Sequence, residues 1–274
     1  MNRRTGSLVA ICAALVVGVI LAFWGYGRLM HYEPGDAVSI DFAAAPSEAH
    51  SELGLLFGRG DFFLQRCCAA SVSYPGVDGK RVALFRVRAT DPIVKHNRRA
   101  EARLLANRLG REALYHVVLG VPASWTPSPQ RVLVTQWHGT NDFWLLEPGR
   151  FPALELVIEG DRWIVYKAWD ARLRSKDVGG GNTQGRRVIG SVPFTPGTQV
   201  DWRFDVRWST GPDGFVRAYK DGHLVVDDRG PNAFNDFIGP YMKFGTYVPQ
   251  WRDAPDLKIG ERDVYFRSAS MVQR

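Results

Sequence analysis

Residues 202–208 read Trp-Arg-Phe-Asp-Val-Arg-Trp, with a large apolar side chain at every second position and a charge at each position between. A pleated strand sends successive side chains to opposite faces, so this period of two builds one buried and one wet face, whereas a helix would smear it all round. The pattern recurs where Ala83, Phe85 and Val87 alternate with Leu84, Arg86 and Arg88. Residues 215–219 and 224–226 flank Asp221-Gly222, the pair favoured by a type I′ hairpin turn. Further strands are expected at 115–119, 132–138, 154–158, 163–169, 241–247 and 263–268. The 28 glycines, 16 prolines and abundant aromatics fit many short strands joined by tight turns. Residues 99–113 conflict with this, because Ala, Arg, Leu and Glu favour helix. The surrounding strand spacing decides for strand, with Arg99, Glu101 and Arg103 on one face and Ala100, Ala102 and Leu104 on the other.

The N-terminus has a different grammar. Arg3 and Arg4 precede an apolar run over 8–26, close to the ~20 residues that span a bilayer as helix. The run exceeds a signal-peptide core and lacks a clean small-x-small cleavage site, which favours an uncleaved anchor. Phe23, Trp24 and Tyr26 fall where an interfacial aromatic belt sits, and the leading arginines predict a cytoplasmic N-terminus. The expected organisation is an anchor over 1–30, a lead-in over 31–56, and one domain over 57–274 on the periplasmic or extracellular side. In that oxidising setting the adjacent Cys67 and Cys68 are too close for a relaxed bridge and read as two small strand residues, while Cys12 fills the anchor. The net charge is +7, and Arg3, Arg4 and Arg28 precede the first acid, Glu33. The remaining excess is mild and suits an acidic partner without specifying one.

Two strands carry polar side chains where core residues belong. By strict alternation, Val132, Val134, Gln136 and His138 share a face opposite Leu133, Thr135 and Trp137. Tyr241, Lys243, Gly245 and Tyr247 likewise share a face opposite Met242, Phe244 and Thr246. If both polar faces line one sheet, a His, a Gln, a Lys and two Tyr converge.

In order along the chain, Arg99-Ala100-Glu101, Tyr115 leading to Pro122 and Trp125, Gln136-Trp137-His138, Pro152 before Leu154 and Leu156, and Tyr241-x-Lys243-x-Gly245-x-Tyr247 resemble the heparin lyase I-like and glucuronan lyase-like polysaccharide lyases. The resemblance covers roughly 57–270. It implies an all-β, concanavalin-like β-jelly-roll sandwich, here preceded by one transmembrane helix, with a groove across the concave sheet. It also implies that His138 and Tyr247 are catalytic, that Arg99, Gln136, Tyr241, Lys243 and Gln65 bind substrate, and that no cofactor is required. Some relatives hold a structural calcium, for which Asp253 and Asp256 are candidate ligands.

The chemistry asks for such residues. A polyuronate lyase removes the C5 proton of a uronic acid and expels the 4-linked sugar. That proton becomes acidic only when donors neutralise the carboxylate, and a proton carrier must serve the leaving oxygen. The implied partner is an acidic polysaccharide, polyuronate or glycosaminoglycan-like. A hydrolase would need paired carboxylates in an E-x-D-x-x-E run, and none is present. No nucleic-acid motif or zinc-ligand spacing occurs. The competing reading is a non-catalytic, membrane-tethered lectin-like domain, because jelly rolls also host binding modules.

Overall fold

The computed structural model describes residues 3–44, 46–175 and 183–274, with side chains of the N-terminal helix from Cys12 onward. Two eight-stranded sheets face one another. In spatial order, one consists of Gly185–Pro193, Arg162–Trp169, Leu154–Glu159, Val132–Thr140, Ile238–Tyr247, Arg99–Ala106, Phe62–Arg66 and Glu48–Ala49. The other consists of His223–Arg229, Phe215–Lys220, Gln199–Arg207, Glu112–Gly120, Glu261–Gln273, Ala83–Arg88 and Val72–Ser73, with Ala37–Asp41 also on Glu261–Gln273. Strand pairing is antiparallel except where Glu48–Ala49 meets Phe62–Arg66. The result is the expected antiparallel jelly-roll sandwich.

Aromatic side chains fix how the sheets meet. Trp202, Phe204, Val206 and Trp208 are all buried. Trp137, on the back of the strand that carries Gln136 and His138, lies 4.8 Å from Phe204, ring centre to ring centre. An aromatic of this size removes 150–250 Å² from water, about 4–6 kcal/mol of gross transfer energy. A one-residue slip would expose it and bury its charged neighbours, so the register is strongly held.

Three local readings need correction. The strand expected over 99–113 ends at Ala106, and the next begins at Glu112. Helix propensity loses there because Ala100, Ala102 and Leu104 are buried and hydrogen-bonded strands flank both edges. Cys67 and Cys68 lie in a bend after Phe62–Arg66, not in a strand; both are free and half-buried, and Cys67 Sγ is 3.4 Å from Ser71 Oγ. The lead-in is woven into the sandwich, with Ile40 and Phe42 in the core.

From Cys12 onward the helix Arg3–Met30 stands almost wholly outside the domain's packing. Its stretch Cys12–Met30 has mean hydropathy 1.7, long and apolar enough to cross a membrane. Among its described side chains, Cys12–Met30, only Gly27 and Met30 near its end are buried.

Candidate active site

A groove of about 720 Å³ runs over the sheet that contains Val132–Thr140 and Ile238–Tyr247. Arg99, Gln136, His138, Tyr241, Lys243 and Tyr247 all line it. Antiparallel register explains the convergence: His138 faces Tyr241, Gln136 faces Lys243, and Leu133 faces Tyr247, while Tyr247 faces Arg99 on its other side. The groove floor is therefore a His/Tyr pair at one end, a Gln/Lys pair in the middle, and Tyr247 with Arg99 at the other.

Strict alternation fails at one place on this floor. The register slips between Leu133 and Thr135 against both neighbouring strands. Leu133 consequently lines the groove with Gln136 and His138, whereas Val132 and Val134 join Trp137 in the core. The expectation that Val132 and Val134 share the face of Gln136 is overturned by this irregularity, which turns the chain's facing by one residue. Gly245 has its own steric reason: at φ 142°, a Cβ would sit 2.3 Å from the Ala100 carbonyl oxygen. Only glycine lets the two strands approach there.

A carboxylate that sequence reasoning left without a role lies beneath the donors. Glu101 is 2% exposed, accepts from Gln136 Nε2, receives Arg99 at 3.2 Å, and has Lys243 Nζ at 3.8 Å. It sits two residues from Arg99 on a strand, so period two already put it on the Arg99 face. Burial pushes the Lys243 amine down to about 8; Glu101 pulls against that shift, while Arg99, Arg103 and Lys95 add to it. Arg103 lies over the Tyr241 ring at 4.1 Å and pairs with Glu52.

His138 Nδ1 donates to the Gly139 carbonyl at 2.7 Å, which leaves the Nε2 lone pair as the open position. Burial first, then Lys243, push its imidazole down to about 3. The ring is therefore uncharged at neutral pH. The Tyr247 ring lies under the Arg99 guanidinium at 4.4 Å, and its oxygen accepts from Asn97 Nδ2 at 3.1 Å. Burial raises its pKa, so the phenol keeps its proton. Asn97 was not anticipated; it closes a tight turn in which Lys95 (φ 45°) and His96 (φ 72°) both adopt left-handed backbone. Arg131 and Arg150 also line the groove, paired with Glu155 and with Glu147 and Asp236.

Gln65 is not among the residues lining this groove. It lies one strand further out, opposite Glu101 in register, buried, with its Oε1 unpartnered. Asp253 and Asp256 are not among the described side chains close enough to share an ion: Asp253 pairs with Arg252 at the surface, and Asp256 caps the amides of Lys258 and Ile259. Among the described residues, the acidic group close enough to share an ion is Asp142, Glu147 and Asp236, and the Arg150 guanidinium already bonds to two of the three.

A family model described as polysaccharide lyase matches residues 66–269. No curated protein sequence matches the chain. Among solved structures, the fold is similar to an endo-β-1,4-glucuronan lyase from the fungus Trichoderma reesei (16% identity, 73% of this chain and 86% of that one, TM-score 0.61). It is also similar to alginate lyase AlgAT5 from polysaccharide lyase family 7 (13%, 78% and 94%, TM-score 0.53). A third is the family 7 alginate lyase A1-II′, solved with its substrate GGMG as a variant with one His→Asn and one Tyr→Phe replacement (14%, 80% and 86%, TM-score 0.51). None of the three is a heparin lyase, so the likeness falls on the glucuronan lyase side of the resemblance.

Proposed function

The chain belongs to the polysaccharide lyase family, and on that premise we propose that it cleaves a uronic-acid-containing acidic polysaccharide by β-elimination in the groove over Gln136 and Lys243. The observation that carries this reading is the presence in one groove of two uncharged proton carriers, His138 and Tyr247, on either side of cationic and amide donors. At neutral pH an unprotonated imidazole can only accept a proton, and a protonated phenol can only give one. His138 Nε2 takes the C5 proton, while Arg99, Gln136 and Lys243 neutralise the uronate carboxylate and stabilise the enolate-like anion. Tyr247 passes its phenolic proton to the O4 of the departing sugar. The C4–O4 bond breaks and a C4–C5 double bond remains. Glu101 holds the three donors in place before substrate arrives, so little reorganisation accompanies charge development.

The glucuronan and alginate lyases of like fold act on polyuronates, and the substrate-bound alginate lyase was altered at one His and one Tyr. Both facts support this substrate class and this pair. No observation favours the lectin reading over the lyase. In the same proposal, residues 57–274 form the catalytic domain, 31–56 complete its sandwich, and 1–30 anchor it with the domain on the periplasmic or extracellular side.

The test is the near-ultraviolet absorbance of the unsaturated product on a panel of glucuronan, alginate and heparin-type glycan. Tyr247→Phe keeps the ring beneath Arg99 and removes only the proton, so turnover should fall roughly 10²–10⁴-fold with binding little changed. Full activity in Tyr247→Phe, or binding by the wild type without unsaturated product, would sink the assignment.

A further inference from the structure

The aromatic residues at the domain end of the helix do not belong to either core. Phe143 is 69% exposed, Leu146 79%, Phe237 42% and Trp144 38%, yet they form one contiguous patch. Phe143 and Trp144 rings are 5.0 Å apart, and Trp144 and Phe237 5.6 Å. The helix joins this patch: Phe23 lies 5.2 Å from Trp144 and 5.9 Å from Phe237.

We propose that this patch is a second membrane contact, seated in the lipid surface beside the helix, so that the groove works directly above a bilayer. The proposal rests on the anchor reading and goes beyond it. At 1.5 Å per residue, the apolar run over 8–26 is about 28 Å long, which matches the hydrocarbon thickness. Phe23 is three residues short of its end, hence about 4–5 Å inside the hydrocarbon boundary. Side chains in ring contact with Phe23 must share that depth.

The helix cannot slide to relieve this. A Cβ at Gly27 would lie 3.1 Å from the Phe237 ring, so the two are already packed. His31 Nδ1 donates to the Gly27 carbonyl at 2.6 Å, and its Nε2 accepts from the Gly239 amide at 3.2 Å, which ties the helix end to the groove strand Ile238–Tyr247. The charges are also arranged for lipid. The acids of the loop turn inward: Glu147 bonds to Arg150, and Asp142 accepts from the Phe237 amide. Arg28 and Arg174 remain exposed at the margin, at headgroup height.

Phe237 immediately precedes the groove strand Ile238–Tyr247 and is four residues from Tyr241, which faces His138. The His138 end of the groove thus stands roughly 13 Å from Phe237 at strand rise. The substrate that fits this position is an acidic polymer lying at or emerging from a membrane surface.

The test uses the full chain in vesicles of phosphatidylcholine and phosphatidylglycerol that carry a shallow spin-labelled quencher lipid. In a background with Cys12, Cys67 and Cys68 replaced by Ser, one environment-sensitive fluorophore is attached through Phe143→Cys, Leu146→Cys, Val17→Cys or Leu257→Cys, the last an exposed position remote from the helix. The expected result is several-fold stronger quenching at 143 and 146 than at 257. Quenching at 143 and 146 no greater than at 257 overturns the proposal, including the case of blue-shifted but unquenched labels, which would mean cover by another protein or a second copy. The label at 17, read in matched vesicles whose quencher lipid carries its spin label deep in the acyl chain, then separates the two failures: quenched, the anchor stands without the seat; unquenched, the anchor reading has fallen too.

Discussion

Replacing Lys243 by Met removes one charge from the groove floor and keeps nearly the same volume. Lys243 is 4% exposed, and burial lowers its amine from 10.5 to about 8. That difference corresponds to about 3 kcal/mol that the folded protein spends keeping the ammonium charged below pH 8. The sign follows from proton counting. Between the folded value near 8 and the unfolded value near 10.5 the unfolded chain binds the extra proton, so the Lys243 contribution to stability rises with pH across this window. A methionine has no such slope. Lys243→Met should therefore be as stable as wild type or more so at neutral pH, by up to about 3 kcal/mol less what Glu101 loses in its partner at 3.8 Å. The stability difference should shrink as pH rises toward 10. Turnover should fall at least tenfold, because the carboxylate-neutralising charge is gone. Denaturant unfolding of the detergent-solubilised pair across pH 7–10, with product absorbance measured alongside, checks both halves. A pH-independent stability difference, or a variant that retains full turnover, would refute the reasoning.

Other outcomes follow from single contacts. Gly245→Ala should destabilise by several kcal/mol and lower activity, because the added methyl meets the Ala100 carbonyl; thermal unfolding checks this. Asn97→Ala removes the 3.1 Å bond to Tyr247 Oη and should cost about three- to tenfold in turnover, yet nothing further in a Tyr247→Phe background; additive losses would deny that Asn97 acts through the phenol. Replacing both Cys67 and Cys68 by Ser should shift stability by no more than about 1 kcal/mol, since both are half-buried and free; loss of folding would reveal a needed bond.

The faces of the sandwich were legible wherever alternation was uninterrupted, as in Trp202 to Trp208, since a wrong register would expose tryptophan. The irregularity at Leu133–Thr135 was not, because nothing in three apolar or small residues announces which one is extra. Gly185–Pro193 escaped notice for another reason: as an edge strand with both faces partly wet, it has no apolar stripe to read. In the site, types that do chemistry stood out, so His138, Tyr247, Gln136 and Lys243 were found and lie together. Glu101 and Asn97 act on those residues rather than on a substrate, and partners across strands have no signature in one dimension. Gln65 shows the converse, a residue assigned from a motif whose strand lies one place further from the groove.

The last strand, Glu261–Gln273, is also a middle strand. It lies between Ala83–Arg88 and Glu112–Gly120 and takes Ala37–Asp41 along its second half. The first strands made by the ribosome thus wait, edges open, for the final ones. This sheet cannot complete until Glu261–Gln273 has been made, and its closing contacts bridge well over a hundred residues, a slow route by its topology. A nascent chain of this kind depends on being kept apart from its neighbours until this strand arrives, and deleting residues 263–273 would leave two orphaned sheet edges rather than a frayed end.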